Sequence, residues 1–502
     1  MSDRTIVENF RDREGYRCGY CGSTDSNYSH GMWAHQLTCQ DYQDLIDRGF
    51  RRSGKYCYKP DLNKMCCPCY PIRCEALHFR ATKSQKKVLK RMTKYLTVPQ
   101  AAAGKLSCST SEDTAMHCKD AENDRCQSSV ESLSDKLQGG LINTDKLHQV
   151  RPSEPRNTAT TGKQCKDEGP SSTASSTNQV KTCSNVTPGK GPDPSKPPCR
   201  KAKDIRRQRR QQKKKNGVEE QSIPRPKNEA KSLEQFLMEH RPDVNTAHKM
   251  EVRLVRSDMN NPEFFRTHQE SYEVYKKYQT GIHKDKPDEC TEKQYRRFLC
   301  SSPLVHSKEA GAPHMGYGSF HQQYWLDGRI IAVGVLDILP SCISSVYLFY
   351  DPAYSHLSLG VYSALREVYL VQCLHKESAS VQYYYMGFYI HSCPKMRYKG
   401  NYYPSYLVCP ETYRWVPIEQ CRPKLDANKY SRLDQTGPDF PSTDINKMLI
   451  LYERQAMPYL IYRAIKQNED DEGDDNDDTD EIQELADMVG PAVAQRMLLF
   501  RS

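Results

Sequence analysis

The sequence predicts a mixed α/β protein with two ordered parts: a small cysteine-rich α+β domain over residues 1–96 and a larger α/β domain over residues 232–466. Cysteine and glycine are concentrated near the N-terminus, and helical and strand periodicities alternate after residue 232. The stretch between has no sustained apolar period. We therefore expect a disordered basic insert over residues 97–231, and an acidic tail with a short terminal helix over residues 467–502.

Composition and charge limit the class of protein. Of 502 residues only 37% are hydrophobic, and the mean hydropathy is -0.83, which is low for a wholly globular chain. The net charge is +10 despite ten acidic residues between Glu469 and Glu481. Such a basic body suits a polyanionic partner such as RNA, although ordinary solubility with a basic linker gives the same balance.

The chain has neither a signal-peptide pattern nor an apolar run long enough to cross a bilayer. We therefore expect a cytoplasmic and nuclear protein with no membrane partner. In those compartments the 21 cysteines are expected to be metal ligands where they cluster and free thiols elsewhere. The basic tract from Lys201 to Lys215 fits a nuclear-import signal, an RNA-tethering arm or a solvated linker.

The first domain contains strand-like residues around Gly31–Leu37, a short amphipathic helix from Asp41, and a basic helix that ends at Leu96. In the second domain, RIIAVGVLDILP and SCISSVYLFYDP are predicted to form a hairpin with Pro340 and Ser341 at the turn.

The long helix SLGVYSALREVYLVQCLHK follows this hairpin. Its predicted apolar face holds Ala364, Leu365, Val368 and Val371, and Arg366 and Glu367 are predicted to point outward. VQYYYMGFYI is the next strand. A hairpin, a helix and a further strand is the central order of the acetyltransferase-like (GNAT) fold, which many other α/β topologies share.

Clustered cysteines indicate a metal centre. Cys18-Gly-Tyr-Cys21 forms a CxxC turn, and Cys66-Cys67-Pro68-Cys69 lies downstream, followed by Cys74. Four thiolates from two loops match tetrahedral zinc or an iron–sulfur cluster. The residues leave open which downstream cysteines are ligands, with Cys69 as a competitor. A redox dithiol or buried free thiols are the alternatives.

Two polar features mark the second domain. Asp337 lies within an apolar strand, where a carboxylate needs a partner or a role, so it is a catalytic candidate as proton acceptor or as partner of a cationic substrate group. The segment from Pro394 interleaves Lys395, Arg397 and Lys399 with tyrosines that include Tyr398 and Tyr402. Cations that contact phosphates and rings that stack on bases suit the end of a nucleic acid.

Four segments, GYRCGYCGS, MCCPCYPIR, AVGVLDILPSCISSVYLFYDP and MGFYIHSCPKMRYKGNYYPS, resemble the arginyl-tRNA–protein transferase family. The resemblance implies an acetyltransferase-like second domain that moves arginine from arginyl-tRNA, the co-substrate, to the α-amine of proteins beginning with Asp or Glu. Oxidised N-terminal Cys is a further candidate acceptor. The products would be marked for ubiquitin-dependent degradation, which makes ubiquitin-ligase pathway components expected partners.

Residue by residue, the resemblance assigns an iron–sulfur cluster or zinc to Cys18, Cys21, Cys66 and Cys67. Arg73, next to the second cysteine motif, is the candidate that reads the acidic N-terminal side chain. In the second domain Lys395, Arg397, Lys399 and Tyr402 are assigned to substrate binding. Tyr398 is the tyrosine expected to help stabilise the tetrahedral oxyanion.

Two other functions compete with this prediction. An acetyl-CoA-dependent N-acetyltransferase needs a glycine-rich turn before the long helix, and SHLSLGVYSALRE contains only Gly360 there. A non-enzymatic RNA-binding protein with a metal knuckle explains the charge and the cysteines but gives Asp337 no role.

Overall fold

The computed structural model describes residues 4–10, 15–98, 208, 231–239, 247–437, 442–469 and 478–501. Nearly all of the predicted insert, its basic tract and most of the acidic run lie outside the described residues. The described segments before and after the insert fold together as one unit. No helix among them is both long and apolar enough to cross a bilayer.

The described strands fall into two sheets. In chain order they are β1 Ile6–Phe10, β2 Ser29–Gln36, β3 Arg51–Ser53, β4 Tyr56–Pro60, β5 Tyr70–Glu75, β6 Met250–Arg256, β7 Gly318–Leu326, β8 Arg329–Ile338, β9 Cys342–Tyr350, β10 Tyr383–Tyr389, β11 Ser405–Val408, β12 Trp415–Pro417, β13 Leu449–Tyr452, β14 Gln455–Pro458 and β15 Leu498–Phe500.

The described α-helices are α1 Cys39–Asp47, α2 Lys83–Thr97, α3 Leu233–Met238, α4 Pro262–Tyr278, α5 Glu292–Tyr295, α6 Leu359–His375, α7 Pro394–Arg397, α8 Ile418–Ala427, α9 Tyr459–Glu469, α10 Thr479–Val489 and α11 Pro491–Arg496. Their ends follow sequence signals. Thr82 and Gln85 form a capping box at α2, and Asn261 caps α4 ahead of Pro262.

The first sheet has the order β14-β13-β15-β1-β2-β4-β3 and therefore unites both ends of the chain. Strand β15 lies parallel to both β1 and β13, and Leu499 within it is fully buried. The two last helices, α10 and α11, are separated at Gly490, whose φ is +83°. A Cβ there would be 2.7 Å from the guanidinium carbon of Arg48, so glycine permits both the backbone conformation and the close approach.

The second sheet has the order β12-β11-β5-β10-β9-β8-β7-β6. Strand β5 comes from the first predicted domain and pairs with β10 and β11 of the second. The domain boundaries at residues 96, 231 and 466 stay predictions. In the structure, the segments on either side of the insert contribute strands to this one sheet.

The hairpin β8–β9, the helix α6 and the strand β10 occur in the predicted order. Helix α6 contacts β9 and β10, and α4 contacts β8 and β9. Strand β8 is buried along almost its whole length, which explains its near-continuous apolar sequence. The finer assignment of this order to the acetyltransferase-like fold stays a prediction.

Strands β9 and β10 are paired in parallel over only three residue pairs, from Cys342–Tyr383 to Ser344–Tyr385. Beyond them the two strands diverge. A register shift between Tyr385 and Phe388 also breaks the pairing of β10 with β5, and Gly387 has a φ of +71° there. The opening between β9 and β10 provides the space for the site described next.

Candidate functional site

The four predicted cysteine ligands lie together. The Sγ atoms of Cys18, Cys21, Cys66 and Cys67 are all within 4.8 Å of one another. Cys69, the competing ligand, is outside this group and donates to the Cys67 carbonyl oxygen at 3.4 Å. Four soft sulfur donors at this spacing fit a metal centre, and they suit zinc and iron–sulfur chemistry alike.

Backbone hydrogen bonds hold the two cysteine loops in place. In the first loop, the Gly22 N–H donates to the Cys18 carbonyl oxygen at 2.9 Å, and the φ of Gly22 is +79°. The loops are joined where the Cys66 N–H donates to the Ser26 carbonyl oxygen at 3.1 Å. The backbone therefore determines where the sulfur atoms sit.

The pKa values of three of these thiols are shifted in different directions. A hydrogen bond from Cys67, assisted by backbone N–H groups, lowers the pKa of the Cys18 thiol to about 4, although burial opposes the shift. The pKa of Cys67 is raised because that thiol donates to Cys18, and burial raises the pKa of Cys66 to about 11. One member of the cluster is thus readily a thiolate, which is the form that binds metals.

A cavity of about 230 Å³ opens between β9 and β10 and reaches the first turn of α6. Residues of the first segment, including Cys69 and Met65, form part of its wall. Tyrosines dominate the lining: Tyr16, Tyr20, Tyr42, Tyr58, Tyr278, Tyr347, Tyr350, Tyr384, Tyr398 and Tyr402. Their rings and hydroxyls give the cavity an apolar surface with many hydrogen-bonding groups.

The structure gives Asp337 a partner within the chain. Arg52 donates to it twice, from Nε to Oδ2 at 2.8 Å and from Nη2 to Oδ1 at 2.6 Å. The Ser319 hydroxyl donates to Oδ1 at 2.6 Å. Asp337 is fully buried, and Arg52, not Asp337, belongs to the cavity lining. Asp337 thus holds Arg52 and is not itself part of the cavity wall, and its expected catalytic role stays a prediction.

Arg51, which sequence reasoning missed, also lines the cavity. It is 6% exposed, and its guanidinium donates to the carbonyl oxygens of Phe50 at 2.6 Å and Gly387 at 3.2 Å. Its Nε has no hydrogen-bond acceptor, and no carboxylate within the described ranges forms an ion pair with it. Two adjacent arginines that follow a short helix are usually exposed to solvent, so the sequence gives no sign that Arg51 is buried. Only the fold shows it.

The prediction that Glu367 points outward is wrong. Glu367 is 1% exposed, lines the cavity and accepts a hydrogen bond from the Tyr384 hydroxyl at 2.7 Å. Burial raises the pKa of this carboxyl to about 7. Helix α6 is buried on two sides, against the sheet and against α2 and α3, so a polar residue does not identify a solvent-facing side. The apolar face is confirmed, since Leu365, Val368 and Val371 are buried.

The basic segment predicted to bind the nucleic-acid end lies partly in the cavity wall. Tyr398, Lys399 and Tyr402 line the cavity, and Lys399 Nζ donates to the Phe388 carbonyl oxygen at 3.1 Å. Arg397 is exposed, with its guanidinium 3.7 Å from Asp426. Lys395 is half-buried, and like Arg397 it is not part of the wall.

Arg73 is not among the residues that line the cavity. Its guanidinium carbon is 3.7 Å from the centre of the Tyr383 ring and 4.2 Å from that of Trp415, so the side chain is held between two aromatic rings. Nη1 also donates to the Tyr385 hydroxyl at 3.3 Å. The structure therefore does not place Arg73 in the cavity wall with Lys399 and Tyr402.

Two family models match the chain. One, described as the N terminus of arginine-tRNA-protein transferase, covers residues 16–87, and the other, described as the C terminus, covers residues 270–409. The first match spans the cysteine cluster and Arg51, and the second spans Asp337, Glu367 and the 394–402 segment.

The chain is similar to arginyl-tRNA–protein transferase 1 of Drosophila melanogaster, with 42% identity over 441 residues that cover 86% of each chain. It is 36% identical to arginyl-tRNA–protein transferase 1 of Arabidopsis thaliana, over 86% of this chain and 76% of that one. A shorter similarity, 40% over 96 residues, joins it to an aspartate/glutamate leucyltransferase of Pseudomonas fluorescens, covering 19% of this chain and 38% of the relative.

Proposed function

Because the chain belongs to the arginine-tRNA–protein transferase family, we propose that it transfers arginine from arginyl-tRNA to the α-amine of proteins whose first residue is Asp or Glu. One observation supports this proposal above the others. The same cavity contains a buried guanidinium with no carboxylate partner, Arg51, and a buried carboxylate with no cation partner, Glu367, among the described residues. The arginyl group of the donor tRNA supplies a cation to match Glu367, and the acidic first residue of the acceptor supplies an anion to match Arg51.

The reaction makes modest chemical demands on the protein. Arginine on tRNA is an activated ester, and an α-amine has an ordinary pKa of about 7.7–8.0, so a usable fraction is already unprotonated at neutral pH. Holding amine and ester carbonyl in line can lower the barrier by roughly 7–11 kcal/mol in the best cases. A covalent enzyme intermediate is not required.

Individual residues take distinct roles in the proposal. Tyr398 donates to the developing oxyanion, and Lys399 and Tyr402 hold the 3′ end of the tRNA beside the opening. Lys395 and Arg397 contact phosphates further along that RNA. Arg51 reads the acidic side chain of the acceptor, a role that Arg73 is less well placed to fill because two aromatic rings enclose it.

The cysteine cluster Cys18, Cys21, Cys66 and Cys67 is proposed to bind zinc or an iron–sulfur cluster. Its loops lie beside the cavity wall that contains Met65 and Cys69. Metal binding there would hold both loops in place. The cytoplasmic and nuclear location, the acceptance of oxidised N-terminal Cys and the link to ubiquitin-ligase pathway components stay predictions.

The test offers the purified protein labelled arginine, an arginyl-tRNA charging system, and peptides that begin with Asp, Glu or Ala. We expect label in the Asp and Glu peptides, little in the Ala peptide, and none after ribonuclease treatment. Acetylation from acetyl-CoA without arginine transfer would identify an N-acetyltransferase instead. Tight tRNA binding with no labelled peptide would identify a non-enzymatic RNA-binding protein.

A further inference from the structure

Glu367 occupies an unusual position for a carboxylate. It lies in the third turn of α6, faces the sheet and is 1% exposed. The Tyr384 hydroxyl donates to its Oε2 at 2.7 Å. A Cβ on Gly334 would be only 3.2 Å from Oε1, so the absence of a side chain at that position leaves room for this carboxylate.

A hydroxyl donor does not neutralise a buried charge. The cations that line the same cavity are engaged elsewhere: Arg52 pairs with Asp337, Arg51 donates to backbone carbonyls, and Lys399 donates to Phe388. In the described part of the chain, no lysine or arginine forms an ion pair with Glu367. A buried carboxylate is costly unless a cation pairs with it, so the cation is expected to arrive with a ligand.

The donor substrate carries such a cation. An arginine side chain presents a planar guanidinium whose N–H groups donate charge-assisted hydrogen bonds to a carboxylate oxygen. Among the residues that line the cavity, Glu367 is the acidic one. We propose that Glu367 binds the guanidinium of the arginyl group on tRNA and so makes arginine the preferred transferred amino acid. This inference rests on the proposed arginine transfer.

A recognition role fits the geometry better than a role as general base. Glu367 lies against the sheet, and the Tyr384 hydroxyl occupies one of its oxygens. The acceptor α-amine needs no strong base near neutral pH. A carboxylate in this position instead selects for a positively charged side chain on the donor amino acid, because a neutral side chain would leave the buried charge unpaired.

The experiment compares tRNA charged chemically with arginine or with citrulline, which has nearly the same shape but a neutral ureido group. The acceptor is a peptide that begins with Asp. In the wild type we expect arginyl transfer to exceed citrullinyl transfer by roughly 100-fold in kcat/KM, the loss typical of breaking a buried charge pair. In Glu367→Gln we expect arginyl transfer to fall by roughly 100-fold and citrullinyl transfer to be maintained or to rise. Glu377→Gln is the matched control. It alters an exposed carboxylate that lies just beyond the end of α6 and pairs with His314.

Parallel loss of both activities in Glu367→Gln, or no change in their ratio, would overturn the inference while leaving arginine transfer by the wild type intact. Failure of the wild type to transfer arginine at all would instead refute the proposed function. Two measurements guard against misfolding of the variant. Glu367→Asp should keep the preference for arginine at a reduced rate. Arginine amide should inhibit the wild type more strongly than citrulline amide, and equal inhibition would also count against the inference.

Discussion

Arg52 on β3 and Asp337 on β8 form a bidentate ion pair although 285 residues of chain separate them. Both side chains are almost completely buried, at 2% and 0% exposure. The pair joins the edge strand of the first sheet to an interior strand of the second. Arg52 lines the cavity and Asp337 does not, so the carboxylate acts on the site through the arginine it holds.

Asp337→Asn should therefore cost stability as well as activity. The substitution leaves a charged guanidinium buried beside a neutral amide, and we expect the free energy of unfolding to fall by about 3–5 kcal/mol. Transfer should slow because Arg52 loses its position. Urea denaturation and initial rates measure the two effects. Asp426→Asn, which alters an exposed carboxylate, should leave the free energy of unfolding nearly unchanged. Full stability together with full rate in Asp337→Asn would rule out this role.

Two substitutions distinguish Arg51 from Arg73 as the residue that binds the acidic side chain of the acceptor. Arg51→Gln should lower kcat/KM for an Asp peptide by roughly 30-fold or more and hardly change the slow reaction with an Ala peptide, because the carboxylate loses its buried cation. Arg73→Gln should change both peptides by the same factor, since that guanidinium is packed between Tyr383 and Trp415. The reverse pattern would return the role to Arg73. Rates with both peptides, measured on each variant, decide the question.

Cys18→Ser should weaken metal binding by at least about tenfold and lower the transfer rate, because a hydroxyl is a poor ligand for a soft metal site. Metal content of the purified protein and its absorption spectrum report the loss directly. Cys373→Ser, a half-buried cysteine on α6 outside the cluster, is the control and should keep its metal. Equal metal content in both variants would exclude the cluster as the binding site.

The buried carboxyl of Glu367 predicts a pH dependence of stability. Its pKa is raised from 4.5 to about 7 in the folded protein by burial. The folded state therefore holds this proton more tightly than the unfolded state. The associated stability is fully present below about pH 4.5 and is lost as the pH rises through 7, by up to about 3 kcal/mol. Tyr384 and Tyr324, which face Glu367, have pKa values well above 10 and stay neutral over this range.

In Glu367→Gln this contribution is absent. The variant should therefore gain stability relative to the wild type as the pH rises from 4.5 to 7.5. Unfolding midpoints of both proteins across this range test the prediction. A pH-independent difference between them would show that Glu367 is already ionised in the folded state.

Arg397 offers a test of the RNA contact. It is 51% exposed, so its replacement by Gln should barely affect folding. We expect KM for arginyl-tRNA to rise several-fold at low salt and less at high salt, with the slope of log affinity against log salt reduced by about 0.7 for one lost phosphate contact. Arg414→Gln, which alters an arginine of similar exposure that pairs with Asp434, should leave the slope unchanged. An unchanged slope in Arg397→Gln would remove that residue from the RNA path.

Local patterns predicted the secondary structure well. Apolar periods anticipated α2 and α6, and the two strand-like runs on either side of Pro340 anticipated the β8–β9 hairpin. These features depend on neighbours in sequence, so a single chain contains the information for them. The same patterns did not predict that β5 and β15 would pair with strands hundreds of residues away, because the local sequence of a strand does not specify its pairing partner.

The sequence by itself determined the elements, the two cysteine motifs and the supply of tyrosines and cations near residues 394–402. Only the tertiary structure decided which charges meet. It paired Asp337 with Arg52, enclosed Arg73 between two rings, and turned Glu367 inward to a cavity that also holds Arg51. The physical reason is that the contribution of a charged group to stability and binding depends on its burial and on its partner, and both are properties of the folded chain.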